Sequence, residues 1–235
     1  MKNRALILII AGVIVVLAVI AVIVIESRGS NTPVTPAKVS GAADVENLLR
    51  GIPQQNTALG QQNAPVTMVE FADLKCPICQ KFSTTVLPEI ITNYVRTGKL
   101  RIILQYQTFV GRQSAPGDSQ HGAEFGLAAG MQNKLWDFTE LFYHNQQNED
   151  KRYVTDDFLR KLGSQIPGLS VQQAFAETGS SSVSQEISSA QNAFKLTGFD
   201  GVPSFQIGKT NGPLTNIPAE TVDYGSFQKA IDNLL

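Results

Sequence analysis

The apolar positions of this chain change their spacing several times, and each change predicts an element. From Ala5 to Ile25 there are 21 residues with no charge and none more polar than Gly12. As a helix, a run of that length matches the hydrocarbon core of a bilayer, roughly 30 Å. Ser27 to Ala42 has no period; Ser, Gly, Asn, Thr and Pro dominate, and Pro33 and Pro36 stiffen it into an extended tether. Val45–Arg50 predicts a short helix ended by Gly51 and Pro53. Val66–Phe71 is β-rich and predicts a strand in which Glu70 shares a face with Met68, opposite Val69 and Phe71. Phe82, Val86, Ile90 and Tyr94 recur every four residues, which predicts one helix starting near Pro77. Lys99–Tyr106 predicts the next strand. Strand, helix, strand is a βαβ unit, whose two strands should run parallel.

The middle of the chain reads as helical. Ala123, Leu127 and Met131 mark one helix, and the aromatic-rich Leu135–Tyr143 a second. Thr155 caps a third that runs through Leu162. Ser170 opens a fourth with the form of a capping box, its side chain on the backbone and Gln173 reaching back. A fifth runs from about Val183 to Leu196, with Gly198 as its C-cap. The strand pattern then returns in Gly201–Gly208. A Gly/Asn/Pro-rich hairpin from Lys209 to Pro218 and a last helix at about Tyr224–Leu235 follow. The pattern predicts an α/β fold with a helical insertion at about 112–197.

Charge gives the chain a direction. Lys2 and Arg4 precede the apolar span, while Glu26 and Arg28 cancel after it. The positive-inside tendency then keeps the N-terminus cytoplasmic and everything after Arg28 outside. Ile23–Glu26 offers no small-residue cleavage site, so the span reads as an uncleaved signal anchor. The expected organisation is a transmembrane signal anchor over 1–27, an extracytoplasmic linker over 28–43 and one folded domain over 44–235. The net charge is −1 with basic residues scattered, which gives no reason to expect a nucleic acid as partner.

Candidate chemistry lies in the cysteines. The chain has two, three apart in Cys76-Pro77-Ile78-Cys79, directly after the first strand of the domain. Zinc normally takes four ligands, and no second such pair exists; His121 and His144 lack ligand spacing. Covalent haem would need histidine after Cys79, where Gln80 stands. A redox couple is the remaining reading, with no metal and no cofactor beyond the Cys76–Cys79 disulfide itself. Cys76 falls at a helix start, where unpaired N–H groups stabilise a thiolate and lower its pKa. Cys79, one turn on, should be the more buried, so Cys76 attacks or is attacked and Cys79 resolves the mixed disulfide.

The ordered set Glu70-Phe-Ala-Asp-Leu-Lys-Cys-Pro-Ile-Cys79, Leu135-Trp-Asp-Phe138 and Thr197-Gly-Phe-Asp-Gly-Val-Pro-Ser-Phe205 resembles the DsbA-like thiol–disulfide oxidoreductases of the thioredoxin superfamily. The resemblance spans about residues 50–235 and implies a thioredoxin-like fold. It makes Val202-Pro203 the cis-proline dipeptide beside the cysteines, with Val202 offering backbone groups to an extended substrate strand. It makes Glu70 the buried acid that assists proton transfer at Cys79. Pro77 and Ile78 are expected to line the substrate site. Ile78 is a departure, because DsbA-type oxidases often carry histidine there. An aliphatic residue gives the Cys76 thiolate neither a hydrogen bond nor a charge, so a milder oxidant is expected.

The leading expectation is a single-pass, membrane-anchored, monomeric enzyme that introduces disulfides into exported cysteine-containing proteins. By resemblance, a DsbB-like or vitamin K epoxide reductase-like membrane partner re-oxidises it. A tethered reductase or isomerase uses the same chemistry in the other direction. A redox-inert peptide-binding or chaperone module is the reading of a different class.

Overall fold

Two strands of two residues each come before the first strand the sequence predicts. β1 (Gln54–Gln55) and β2 (Ala58–Leu59) pair antiparallel around a turn in which Asn56 takes φ 51°. They follow α1 (Ala42–Leu49), the expected lead-in helix. Their Gln-Gln-Asn-Thr sequence carries no alternation, and so few residues leave no period to read. The computed structural model describes residues 38–218 and 222–235. The expected span Ala5–Ile25 and the tether before residue 38 lie outside the described residues. Among the described residues, no helix is long and apolar enough to cross a membrane.

β3 (Val66–Ala72) and β4 (Leu100–Tyr106) are parallel, in register from Val66 opposite Leu100 to Ala72 opposite Tyr106. β5 (Ser204–Lys209) runs antiparallel on the other side of β3, and β6 (Thr215–Ile217) closes the predicted hairpin. The sheet order is β1-β2-β4-β3-β5-β6. Every residue of β3 is buried, so both faces of the sheet are covered there. Alternation divides its side chains. Val66, Met68 and Ala72 join the main core, while Val69 and Phe71 pack with Phe194 in a smaller one.

The connection between β3 and β4 departs from the single helix expected. α2 (Pro77–Thr85) stops, Val86 bends the chain, and α3 (Leu87–Ile90) leads into a π-helical turn over Ile91–Val95. Pro88 is the cause: it has no N–H for the carbonyl four residues back, and its ring crowds that turn. The apolar stripe survives the break, with Phe82, Val86, Ile90 and Tyr94 all buried. Phe82 packs its ring against Phe205 of β5, with centroids 4.6 Å apart.

Between β4 and β5 lie α4 (Asp118–Gly130), α5 (Leu135–His144), α6 (Asp156–Gly163), α7 (Val171–Glu177) and α8 (Ser181–Thr197). Gly126 lets α4 come close: a Cβ there would lie 2.7 Å from the Tyr106 hydroxyl. Thr155 caps α6 as expected, and Gly198 ends α8 at φ +77°. Met131 lies just past the end of α4 and is exposed rather than part of its apolar stripe. Half of the expected capping box is made. The Ser170 hydroxyl accepts from Gln173 N–H, but the Ser170 N–H donates to Gln132 Oε1 at 2.8 Å. Gln132 also donates back to the Ser170 carbonyl at 3.1 Å, and this two-point grip displaces Gln173. α9 (Tyr224–Asp232) ends the fold, with Phe227 packed between Phe82 and Phe205.

Candidate active site

The cysteines sit where β3 hands over to α2. Cys76 is the N-cap of that helix, in extended conformation, and Pro77 fills its first turn without leaving an N–H unpaired. The Cys76 sulfur accepts from the Cys79 N–H at 3.3 Å. Both cysteines are free thiols and both are buried, Cys79 completely. The hydrogen bond from the Cys79 thiol, helped by the N–H groups of Cys79 and Ile78, holds the Cys76 pKa below its ordinary value. Burial and the Asp73 charge act against this and do not reverse it. Burial pushes the Cys79 thiol well up, with added contributions from the Cys76 sulfur and the Glu70 charge.

The Val202–Pro203 peptide is cis, as the family resemblance implies. The Cys76 thiol donates to the Val202 carbonyl at 3.4 Å. That contact belongs to the thiol form alone; a thiolate has no proton to give and keeps the amide donors instead. Pro203 is buried and Val202 half-buried, while Pro77 and Ile78 face solvent, Ile78 with 55% of its surface exposed. The site is therefore a buried sulfur beside an open rim of Pro77, Ile78 and Val202.

Glu70 is buried on the main-core face of β3, with Leu104 and Phe205 as its neighbours in register. One of its carboxylate oxygens has no hydrogen-bond partner among the described residues. Burial, then the charge of Glu140, pushes its pKa well above the ordinary value. Glu140, on α5, is also buried, and its pKa is pushed up to about 8 by burial, against the hydrogen bond from the Ser83 hydroxyl at 2.7 Å. The helical insertion also clamps the loop before Cys76. Gln146 donates to the carbonyls of Leu74 at 2.6 Å and Cys76 at 3.1 Å, and Tyr143 donates to the Asp73 carbonyl. Asp73 accepts from Lys75 N–H, Ser119 Oγ and the N–H groups of Phe109 and Val110.

The structure thus brings Cys76, Cys79, Val202, Pro203, Pro77, Ile78 and Glu70 to one end of β3. Sequence reasoning did not single out Glu140, Ser83, Asp73, Lys75, Tyr143 or Gln146. A signal existed for two of them: Glu140 is the acid within an aromatic helix, and Ser83 follows Cys79 by one helical turn. His121 pairs with Asp156 at 2.9 Å, and His144 ends α5.

Residues 53–233 match a protein-family model described as Thioredoxin. A Bacillus cereus protein named Probable disulfide bond formation protein D is 32% identical over 181 residues, covering 76% of this chain and 78% of that one. The chain belongs to the DsbA-like thiol–disulfide oxidoreductases. Solved structures of this family share the fold of the present one. Oxidised BdbD from Bacillus subtilis superposes with a TM-score of 0.65 at 20% identity, over 78% of this chain and 96% of that one. Chlamydia trachomatis DsbA gives 0.58 at 18% identity, over 76% and 90%. As a DsbA-like enzyme the chain catalyses thiol–disulfide exchange.

Proposed function

We propose that this DsbA-like enzyme introduces disulfides into exported proteins, using Cys76 and Cys79 as its redox group and no separate cofactor. The observation that carries the reading is the asymmetry of the two sulfurs. Cys76 lies at a helix N-terminus with its pKa lowered, beside the exposed Pro77 and Ile78, and Cys79 is completely buried with its pKa raised. A substrate thiolate attacks Cys76 of the disulfide, and the electron pair of the broken bond leaves on Cys79. A second substrate thiolate then attacks the substrate sulfur, and Cys76 departs as the thiolate its N–H donors favour. The substrate gains a disulfide and the enzyme is left as the dithiol. Val202 beside the cis proline offers backbone groups to the substrate, with Pro77 and Ile78 as apolar contacts.

The relative from Bacillus cereus is named for disulfide bond formation, which supports this direction. The apolar span Ala5–Ile25 and the charges before it support a single-pass anchor with the enzyme extracytoplasmic. A quinone-coupled membrane protein, DsbB-like or vitamin K epoxide reductase-like, then restores the disulfide, with the enzyme acting as a monomer. Ile78 favours a second reading, a tethered reductase, because it gives the thiolate no side-chain donor. The test is transfer itself. Oxidised full-length protein mixed with a reduced, unfolded dithiol protein should lose its disulfide as the substrate gains one. A Cys76→Ser/Cys79→Ser variant should transfer none; substrate that stays reduced with the wild type would sink the oxidase reading.

A further inference from the structure

Pro77 leaves the peptide that joins it to Cys76 with a single polar handle. That peptide has no N–H, so the Cys76 carbonyl alone can fix how it is turned. The Gln80 N–H donates to that oxygen at 3.0 Å, as the first bond of α2. Its second donor comes from 70 positions away in the chain, the side-chain amide of Gln146 at 3.1 Å. The same amide nitrogen donates to the Leu74 carbonyl at 2.6 Å. Both neighbours are acceptors, so the amide must turn its NH2 group to them, and both of its N–H bonds are used. The rest of the loop is held by Asp73. Lys75 N–H donates to its Oδ1 and Cys76 N–H to its carbonyl, each at 2.9 Å.

Gln146 is itself anchored. It follows the end of α5, where Asn145 donates to the carbonyls of Leu141 and Ser40 and accepts from the Ser40 N–H. In return the Gln80 side chain donates to the Tyr143 carbonyl at 2.7 Å, so α2 and the end of α5 grip each other from both sides. We propose that Gln146 is a positioning residue for disulfide exchange, which holds the Leu74 and Cys76 carbonyls so that the Cys76 sulfur returns to the Cys79 N–H each time it is released. The proposal rests on the reading that Cys76 is the exchanging sulfur.

One torsion links the amide to the sulfur. Cys76 is an N-cap with φ −76° and ψ 119°, and this extended turn points its side chain back at the Cys79 N–H, 3.3 Å away. Its ψ is set by where its carbonyl points, and Gln146 and Gln80 together set that direction. During exchange the sulfur passes from Cys79 to a substrate sulfur and then departs with the electron pair of the broken bond. With the backbone held, the departing thiolate meets its amide donor at once, and such charge-assisted bonds are the strong ones. The titratable groups that face Cys76 are Cys79 from its own helix, Asp73 from the loop before it and Tyr143 from α5. Substituting Gln146 alters none of them.

The test replaces Gln146 in the full-length protein and reads the sulfur rather than the fold. Gln146→Met keeps the length of the side chain and loses both donors; Gln146→Asn keeps the amide but is one methylene too short. The Cys76 thiolate is titrated in the reduced protein by its ultraviolet absorbance, and the protein is equilibrated with glutathione. In both variants the thiolate should titrate about one pH unit higher than in the wild type. The equilibrium constant for oxidising glutathione should fall about tenfold, equivalent to about 30 mV. A glutamine that only braces the fold would lower the melting temperatures of the oxidised and reduced forms alike and leave both readings at the wild-type values. That result would overturn the inference and leave the exchange reading intact. Gln146→Asn alone decides if Gln146→Met does not fold. A Cys79→Ser variant that traps no mixed disulfide on Cys76 would overturn the exchange reading, and the inference with it.

Discussion

At the scale of single residues, burial decides the behaviour of the site more than sequence position does. Cys76 and Cys79 are three residues apart, yet one thiol is lowered by donors and the other raised by burial. Iodoacetamide at neutral pH should therefore label Cys76 at least about tenfold faster than Cys79, because the thiolate is the reacting form. Equal labelling would contradict the asymmetry. Glu140 gives a second prediction, with a definite sign. Its folded-state pKa, about 8, lies above its ordinary value of 4.5, so between those limits the unfolded chain binds fewer protons than the folded one. Stability then falls as pH rises through that window. Glu140→Gln removes this loss and should gain on the wild type by several kcal/mol between the two ends of the window, measured by urea unfolding. The pair of cysteines and the cis-proline dipeptide were legible because each is a local motif. Glu140 shows in the sequence only as an acid within an aromatic helix; that it meets Ser83 was not legible, because the two are 57 positions apart.

At the scale of elements, the loop before Cys76 is tied to the helical insertion by buried charge. Lys75 is completely buried; its ammonium donates to the Lys151 carbonyl at 2.8 Å and lies 3.5 Å from Asp118, the first residue of α4. Asp118 also accepts from the N–H groups of Tyr153 and Val154. Lys75→Met leaves that carboxylate buried without its cation and should cost about 3–5 kcal/mol. Adding Asp118→Asn should recover part of the loss, and a purely additive double variant would contradict the coupling. Gly198→Ala meets no neighbour but forces an L side chain to φ +77°, costing about 1–2 kcal/mol in thermal unfolding. Elements with a long period, β3, β4, α5 and α8, were readable in the sequence. β1 and β2 are too short to show one, and the break at Pro88 was masked by an apolar stripe that continues across it.

At the scale of the whole molecule, the sheet, the insertion and the cis-proline loop converge on one sulfur, and its environment sets the direction of exchange. The Cys76 thiolate is held by the Cys79 thiol and by backbone N–H groups, with no imidazole or other cationic side chain in the position of Ile78. Stabilising the reduced form makes such a couple oxidising, and about 30 mV corresponds to roughly 1.4 kcal/mol. Helix-end donors alone should therefore give an oxidant weaker than one that also has histidine beside its thiolate. The most direct test is the reduction potential of Cys76/Cys79 in the full-length protein, by equilibration with glutathione. The account predicts a value clearly above thioredoxin's, about −270 mV, and below DsbA's, about −120 mV. A potential at or below thioredoxin's would contradict it and make the enzyme a reductase.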